Sequence, residues 1–137
     1  MTGLPMDEAN GWREVFAEKI SNDWFGYSKT PHVVNPCSYF RLPDGTPTWK
    51  EDKEYIRFEL RQVRDCDLLV VAVSRLQDSI GTACEIATAY SCGKPILLYN
   101  PHNIPHHEIH PFVWEMSDGC FEDMDELAEY ITEVYLL

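Results

Sequence analysis

Apolar residues run unbroken from Leu68 to Val73 (Leu-Leu-Val-Val-Ala-Val). A run without polar alternation marks a strand covered on both faces, as in a parallel sheet. A polar loop follows, and strong helix character begins at Ala83 and holds to Tyr90, so Ser79 to Gly81 form the turn into a helix over Gly81–Cys92. Gly93-Lys94-Pro95 stops that helix, and Ile96-Leu97-Leu98-Tyr99 makes the next strand. Upstream, Trp12, Val15, Phe16 and Ile20 recur at helical spacing and predict a helix over Met6–Asn22. Pro31 to Pro36 reads as a short strand closed by a proline, and Leu42 to Thr48 (LPDGTPT) as a turn-rich loop. Thr46 or Thr48 then caps a helix over Trp49–Arg64, with Tyr55, Phe58 or Glu59, Leu60 and Val63 turned inward. Downstream come a Pro/His-rich loop over Asn100–Pro111, a short helix, a strand near Cys120-Phe121 and a last helix over Met124–Tyr135.

Strands that alternate with helices predict an α/β domain with a central parallel sheet and right-handed crossovers. The 137 residues form one domain with no internal repeat. In such a sheet ligands bind in the crevice outside the carboxyl ends of the strands. The chain opens on a helix, whereas folds of this type open on a strand. The expectation is therefore a sheet of four strands, or one whose opening strand lies upstream of Met1.

Composition narrows the function classes. With 23 acidic and 11 basic residues the formal charge is -12 and no Lys/Arg cluster could track phosphates, so nucleic acid is not an expected partner. No apolar stretch approaches the roughly 20 residues that span a bilayer, and the first residues carry no apolar signal core, so a cytoplasmic protein without membrane contact is expected. Five cysteines without C-x-x-C spacing disfavour both structural zinc and a disulfide framework. His102, His106, His107 and His110 crowd one loop, but His107-Glu108-Ile109-His110 lacks the spacing of the H-E-x-x-H zinc signature. No metal and no cofactor is expected, and that loop reads as surface or subunit contact.

The candidate chemistry gathers around the turn into the Gly81–Cys92 helix. Thr82-x-x-Glu85 matches a capping box, in which Glu85 would only bond back to the cap residue. The competing reading makes Glu85 a carboxylate nucleophile beside the crevice, with Gly81 allowing close approach of a ligand. Ser79 could cap the helix or bond a substrate hydroxyl or phosphate. Glu59, among Ile56, Phe58 and Leu60, is either a solvated helix acid or a second carboxyl that looks into the crevice. Asp78 is a loop acid on the ligand side, whereas Asp67 marks the strand's far end. Asn35 either points into the crevice or forms a turn. Two carboxyls around a ligand suit cleavage of an N-glycosidic bond, one attacking the anomeric carbon and one handling the proton.

Together Met1-Thr2-Gly3-Leu4-Pro5, Asn35-Pro36, Asp67-Leu68-Leu69-Val70-Val71, Ser79-x-Gly81-Thr82-x-x-Glu85 and Ala89-Tyr90-x-x-Gly93-Lys94-Pro95-Ile96 resemble the nucleoside 2-deoxyribosyltransferase family and its deoxynucleoside 5'-monophosphate N-glycosidase relatives. The resemblance covers most of the chain, and the S-x-G-T-x-x-E element followed by G-K-P-I is its most specific part. It implies a flavodoxin/Rossmann-like three-layer sandwich of four to five strands, the first missing from this chain, since Met1-Thr2-Gly3 falls inside the loop that follows it. It also implies that Glu85 is the nucleophile of a covalent deoxyribosyl intermediate; Asp78 is the catalytic candidate beside it, with Glu59 or a residue from a neighbouring subunit as alternative proton donors, and Gly3, Asn35, Glu59, Ser79 and Gly81 are the expected substrate-binding residues. The implied ligand is a nucleoside or nucleotide, and the implied assembly a homo-oligomer in which a neighbour completes the pocket, with Asn100–Met116 the expected contact. Two departures stand out: Ser79 replaces the Asp common in the transferases and matches the hydrolases, and Glu59 stands where the family has a sugar-contacting Asp. The expected activity is base–sugar cleavage of a 2'-deoxyribonucleoside with deoxyribosyl transfer to another base. The alternatives are hydrolysis of nucleoside 5'-monophosphates and a non-catalytic nucleotide-binding module.

Overall fold

Alternating side chains of three short strands divide the interior into two cores. The structure is a computed structural model that describes residues 6–21, 31–35, 44, 46–73 and 79–136, with side chains from residue 11 onward. Its elements are α1 (Met6–Ser21), α2 (Asp52–Asp65), β1 (Leu69–Ala72), α3 (Ile80–Ser91), β2 (Ile96–Tyr99), a 3-10 turn (His106–Glu108), α4 (Pro111–Met116), β3 (Gly119–Phe121) and α5 (Met124–Tyr135). The three strands are parallel in the order β1-β2-β3, with Leu69 opposite Ile96 and Leu97 opposite Gly119. The molecule is therefore α/β, with a small open parallel sheet.

Val71, Val73, Ile96 and Leu98 point to one face, where Val63 of α2, Ile86 and Ala89 of α3 and Val113 of α4 cover them. Leu97, with the partly buried Val70, Tyr99 and Phe121, points to the other, under Phe16 and Ile20 of α1 and Leu127 and Ile131 of α5. Helices on both faces explain why the strands carry no polar alternation. Along β1, Leu69 and Val71 thus serve one core and Val70 between them the other, as period-2 geometry demands.

Several element ends follow from local chemistry. Ser79 caps α3, its Oγ accepting from Thr82 N at 3.3 Å. Gly93, at φ +71°, ends α3 in a Schellman arrangement, with Lys94 N donating to Ala89 O and Gly93 N to Tyr90 O. Asp123 caps α5 by accepting from Asp125 N and Glu126 N. Asn100, buried past the end of β2, brackets the following turn through two bonds with the Ile104 backbone, at 3.0 and 2.9 Å.

Three expectations need correction. Residues 31–35 are extended but enter no ladder; Pro31 has no N–H to give, and the segment instead leans Val33 on the α1/α5 core. The described residues form a sheet of three strands, and the start of the chain, residues 1–5, lies outside them. The second helix begins at Asp52, not Trp49, and neither Thr46 nor Thr48 caps it: the cap position is Glu51, without a side-chain bond. Glu54 reaches back instead to Lys50 N at 3.4 Å, and Asp52 and Glu54 place negative charge in the first turn.

Candidate functional site: a pair of hydrogen-bonded glutamates

Both α2 and α3 run antiparallel to β1, so they lie side by side with their N-termini at the carboxyl end of the sheet. Glu59, the eighth residue of α2, and Glu85, the sixth of α3, meet in the seam between them. Glu59 is only 9% exposed, and Glu85 is half-buried. Their carboxyl groups share a hydrogen bond. Burial, that bond and the charge of Glu59 together push the Glu85 carboxyl up to about 7 from 4.5, and the positive charge of Arg13 on α1 works the other way. Near neutral pH the Glu85 carboxyl therefore stands between its acid and carboxylate forms.

The start of α3 bears on the capping reading of Glu85. Ser79, not Thr82, is the cap, so Thr82 is already the third helical residue and lies buried inside the helix. Glu85 is then in the second turn, too far along to bond back to the cap residue. The capping-box role is overturned, and so is a first-turn position favoured by the helix dipole; α3 has no acid in its first turn. Gly81 is the second helical residue, exposed, rather than part of a turn. Ser79 stands at the mouth of the same crevice with its Oγ engaged by Thr82 N.

Of the remaining sequence candidates, Asn35 is half-buried at the end of the described 31–35 segment, and Gly3 and Asp78 lie outside the described residues. Lys94 precedes β2 and so stands at the amino ends of the strands, where its charge acts on Cys66 just before β1, away from the crevice. The histidines have local work. His110 Nδ1 accepts from Phe112 N at 3.2 Å to cap α4, and His106 stacks on Trp114 with ring centroids 4.1 Å apart. No group of three or more metal-ligating side chains occurs among the described residues. Ile104, Ile109 and Val113 of the expected contact segment are core residues instead, whereas Phe112 is 68% exposed. An open apolar groove of about 290 Å³ lies on the opposite flank of α3, against α4, lined by Ala83, Ile86, Ala87, Phe112, Val113 and Met116 among others. No carboxyl lines it, so it is a separate feature from the glutamate pair.

Arg13 is the residue that the sequence did not single out. It stacks its guanidinium over Trp12, 5.0 Å from the ring centroid, and Trp12 in turn leans on Tyr99 at the carboxyl end of β2, at 5.5 Å. An arginine on an amphipathic helix ordinarily reads as solvated, and only the tertiary position of α1 brings its charge to bear on Glu85. No protein-family model matches the chain, and no curated protein matches it.

Proposed function

We propose that the protein is an N-glycosyl enzyme that cleaves the base–sugar bond of a 2'-deoxyribonucleoside through Glu85 and passes the deoxyribosyl group to another base. In the first step a Glu85 carboxylate oxygen bonds to C1' while the C1'–N bond breaks, and its electron pair leaves with the base, which takes up a proton. In the second step an acceptor base nitrogen attacks C1', the Glu85 ester bond breaks with its electron pair returning to the carboxylate, and the acceptor's N–H proton passes back to the group that protonated the leaving base. The observation that carries this reading is the buried Glu59–Glu85 pair: two acids hydrogen-bonded to each other at the ligand end of a parallel sheet, with no capping role to account for Glu85.

The hydrogen bond also supports a division of roles. Retaining glycosidases place nucleophile and acid about 5–5.5 Å apart, on opposite sides of the scissile bond. Two carboxyls in direct contact are too close for that, so Glu59 orients Glu85 and meets the sugar, and the proton for the leaving base comes from elsewhere, with Asp78 the proposed donor. Asn35, Ser79, Gly81 and Gly3 are proposed around the sugar and its 5' end. No cofactor enters these steps. The finer architecture implied by the resemblance, a sandwich of four to five strands, would place its added strands beside β1. The same resemblance suggests a cytoplasmic salvage role and a homo-oligomer.

A second reading, hydrolysis of a nucleoside 5'-monophosphate with water as acceptor, is favoured by one observation: the Arg13 charge bearing on the site suits an anionic substrate. The test is base release from a panel of deoxynucleosides and their 5'-monophosphates, with and without a second base. Release that vanishes in Glu85→Gln supports the glycosyl enzyme, and the acceptor dependence separates transfer from hydrolysis. Binding without release would leave the non-catalytic module.

A further inference from the structure

Directly above the glutamate pair, at the N-terminal end of α2, two aromatic rings are locked face to face. Trp49 and Tyr55 have centroids 4.4 Å apart and planes inclined by 21°. The Trp49 indole is fixed further by its Nε1–H, which donates to Asp52 Oδ1 at 3.0 Å. Both rings are half-buried, so each keeps part of its surface open to solvent. Tyr55 precedes Glu59 by four residues and so shares its face of α2, about 6 Å further along the helix axis. That direction leads toward the carboxyl ends of the strands, level with the first turn of α3 at Ser79 and Gly81. Neighbouring Ile56, by contrast, is 52% exposed on another face.

We propose that the Trp49–Tyr55 stack is the platform on which the base of the ligand lies, while its sugar sits at Glu59 and Glu85. The inference rests on the nucleoside reading of the same site and adds to it the residues that would bind the base. One helical turn separates the carboxyls from the rings, which suits a ligand whose anomeric carbon and flat aromatic ring are joined by a single bond. A stacked pair also resists reorganisation: each ring holds the other, and Asp52 holds the indole, so little side-chain freedom is left to lose on binding. Stacking on such a platform favours flat heterocycles in general over any one of them, because every base has a π-face. The packing of Trp49 on Tyr55 also resembles a hydrophobic staple across a helix start, and the experiment separates the two roles.

Adenine, thymine and 2-deoxyribose 5-phosphate are titrated separately into the full chain and into Trp49→Phe and Trp49→Ala, following tryptophan fluorescence and calorimetric heat, with thermal melts of each variant. The expected result is that both bases quench wild-type fluorescence, that Trp49→Ala weakens base binding about tenfold or more, that Trp49→Phe restores most of it, and that the sugar phosphate binds all three alike. A drop in melting temperature with base affinity unchanged would make the pair a staple only and overturn the proposal. Equal weakening of base and sugar phosphate, or no base binding to wild type, would overturn it too. Base binding that depends on Trp49, in a protein that releases no base from any nucleoside, would retire the glycosyl chemistry and leave the platform standing.

Discussion

At the residue scale the protein turns on one acid whose environment penalises its charge. Glu85 takes up its proton near pH 7 in the fold and near 4.5 when unfolded, so between those values the native state holds more protons than the unfolded state. Stability must then fall as pH rises through that window. The full difference corresponds to about 3 kcal/mol lost above pH 7. Glu85→Gln should therefore melt at a higher temperature than wild type at pH 8 and show little difference at pH 4.5, while base release falls by about a thousandfold or more because an amide is a poor nucleophile. Melts at the two pH values, beside an activity assay, check both halves. Glu59→Gln should act differently. It removes the like charge and can offer an amide N–H to the Glu85 carboxylate, so the Glu85 carboxyl drops toward the ordinary range and the acidic limb of the pH–rate profile moves down. A carbon-detected NMR titration of the Glu85 side chain reads the same change without turnover.

At the element scale, stability concentrates where a side chain or a glycine ends a helix. Ser79→Ala should cost about 1 kcal/mol, since its hydroxyl serves one of the free N–H groups of α3, and Asp123→Ala should cost about the same at α5. Gly93→Ala should cost about 1 kcal/mol as well, because only glycine holds φ +71° without strain. Denaturant midpoints measure all three, and unchanged midpoints would remove these caps from the account. These elements were legible in the sequence for the reason that they are local: α5, the Gly93 stop and the apolar β1 and β2 each carry their signal within a few residues. Failures came where a local pattern met competition. Thr82-x-x-Glu85 matches a capping box letter by letter, but Ser79 three residues earlier captures the Thr82 N–H and moves the helix start upstream. Residues 31–35 are strand-like in sequence yet enter no ladder, and Val33 packs on the α1/α5 core instead. The pairing of Glu59 with Glu85 was only half legible, since each residue could be nominated but their contact depends on how α2 and α3 pack. Arg13 was not legible, because nothing around it in sequence refers to the sheet's far face.

At the scale of the whole molecule the distribution of charge suggests how copies meet. The chain carries -12, and the open sides of α2 and α5 bristle with charged residues such as Asp52, Lys53, Arg61, Glu126 and Glu129. The outer side of α3 differs: Ile80 is 81% exposed, Tyr90 is 56% exposed, and Ala83, Cys84 and Ala87 lie between them with no charged side chain. Phe112 of α4 extends the strip, and the groove of about 290 Å³ beside Ala83 and Ala87 offers a socket on the same surface. A protruding residue and a recess on one patch are what a two-fold interface needs, because each copy must supply both. Like-charged copies also repel least where neither carries charge. A homo-oligomer of the proposed kind is therefore expected to close over α3 and α4 instead of over the loop histidines, and its association should strengthen as salt screens the remaining repulsion. Light scattering on eluting protein should report a dimer that Ile80→Glu and Phe112→Glu each convert to monomer, with helical circular dichroism retained. A dimer that survives both substitutions, or one that weakens with added salt, would place the contact elsewhere and make ionic pairs, not apolar burial, the force that holds it.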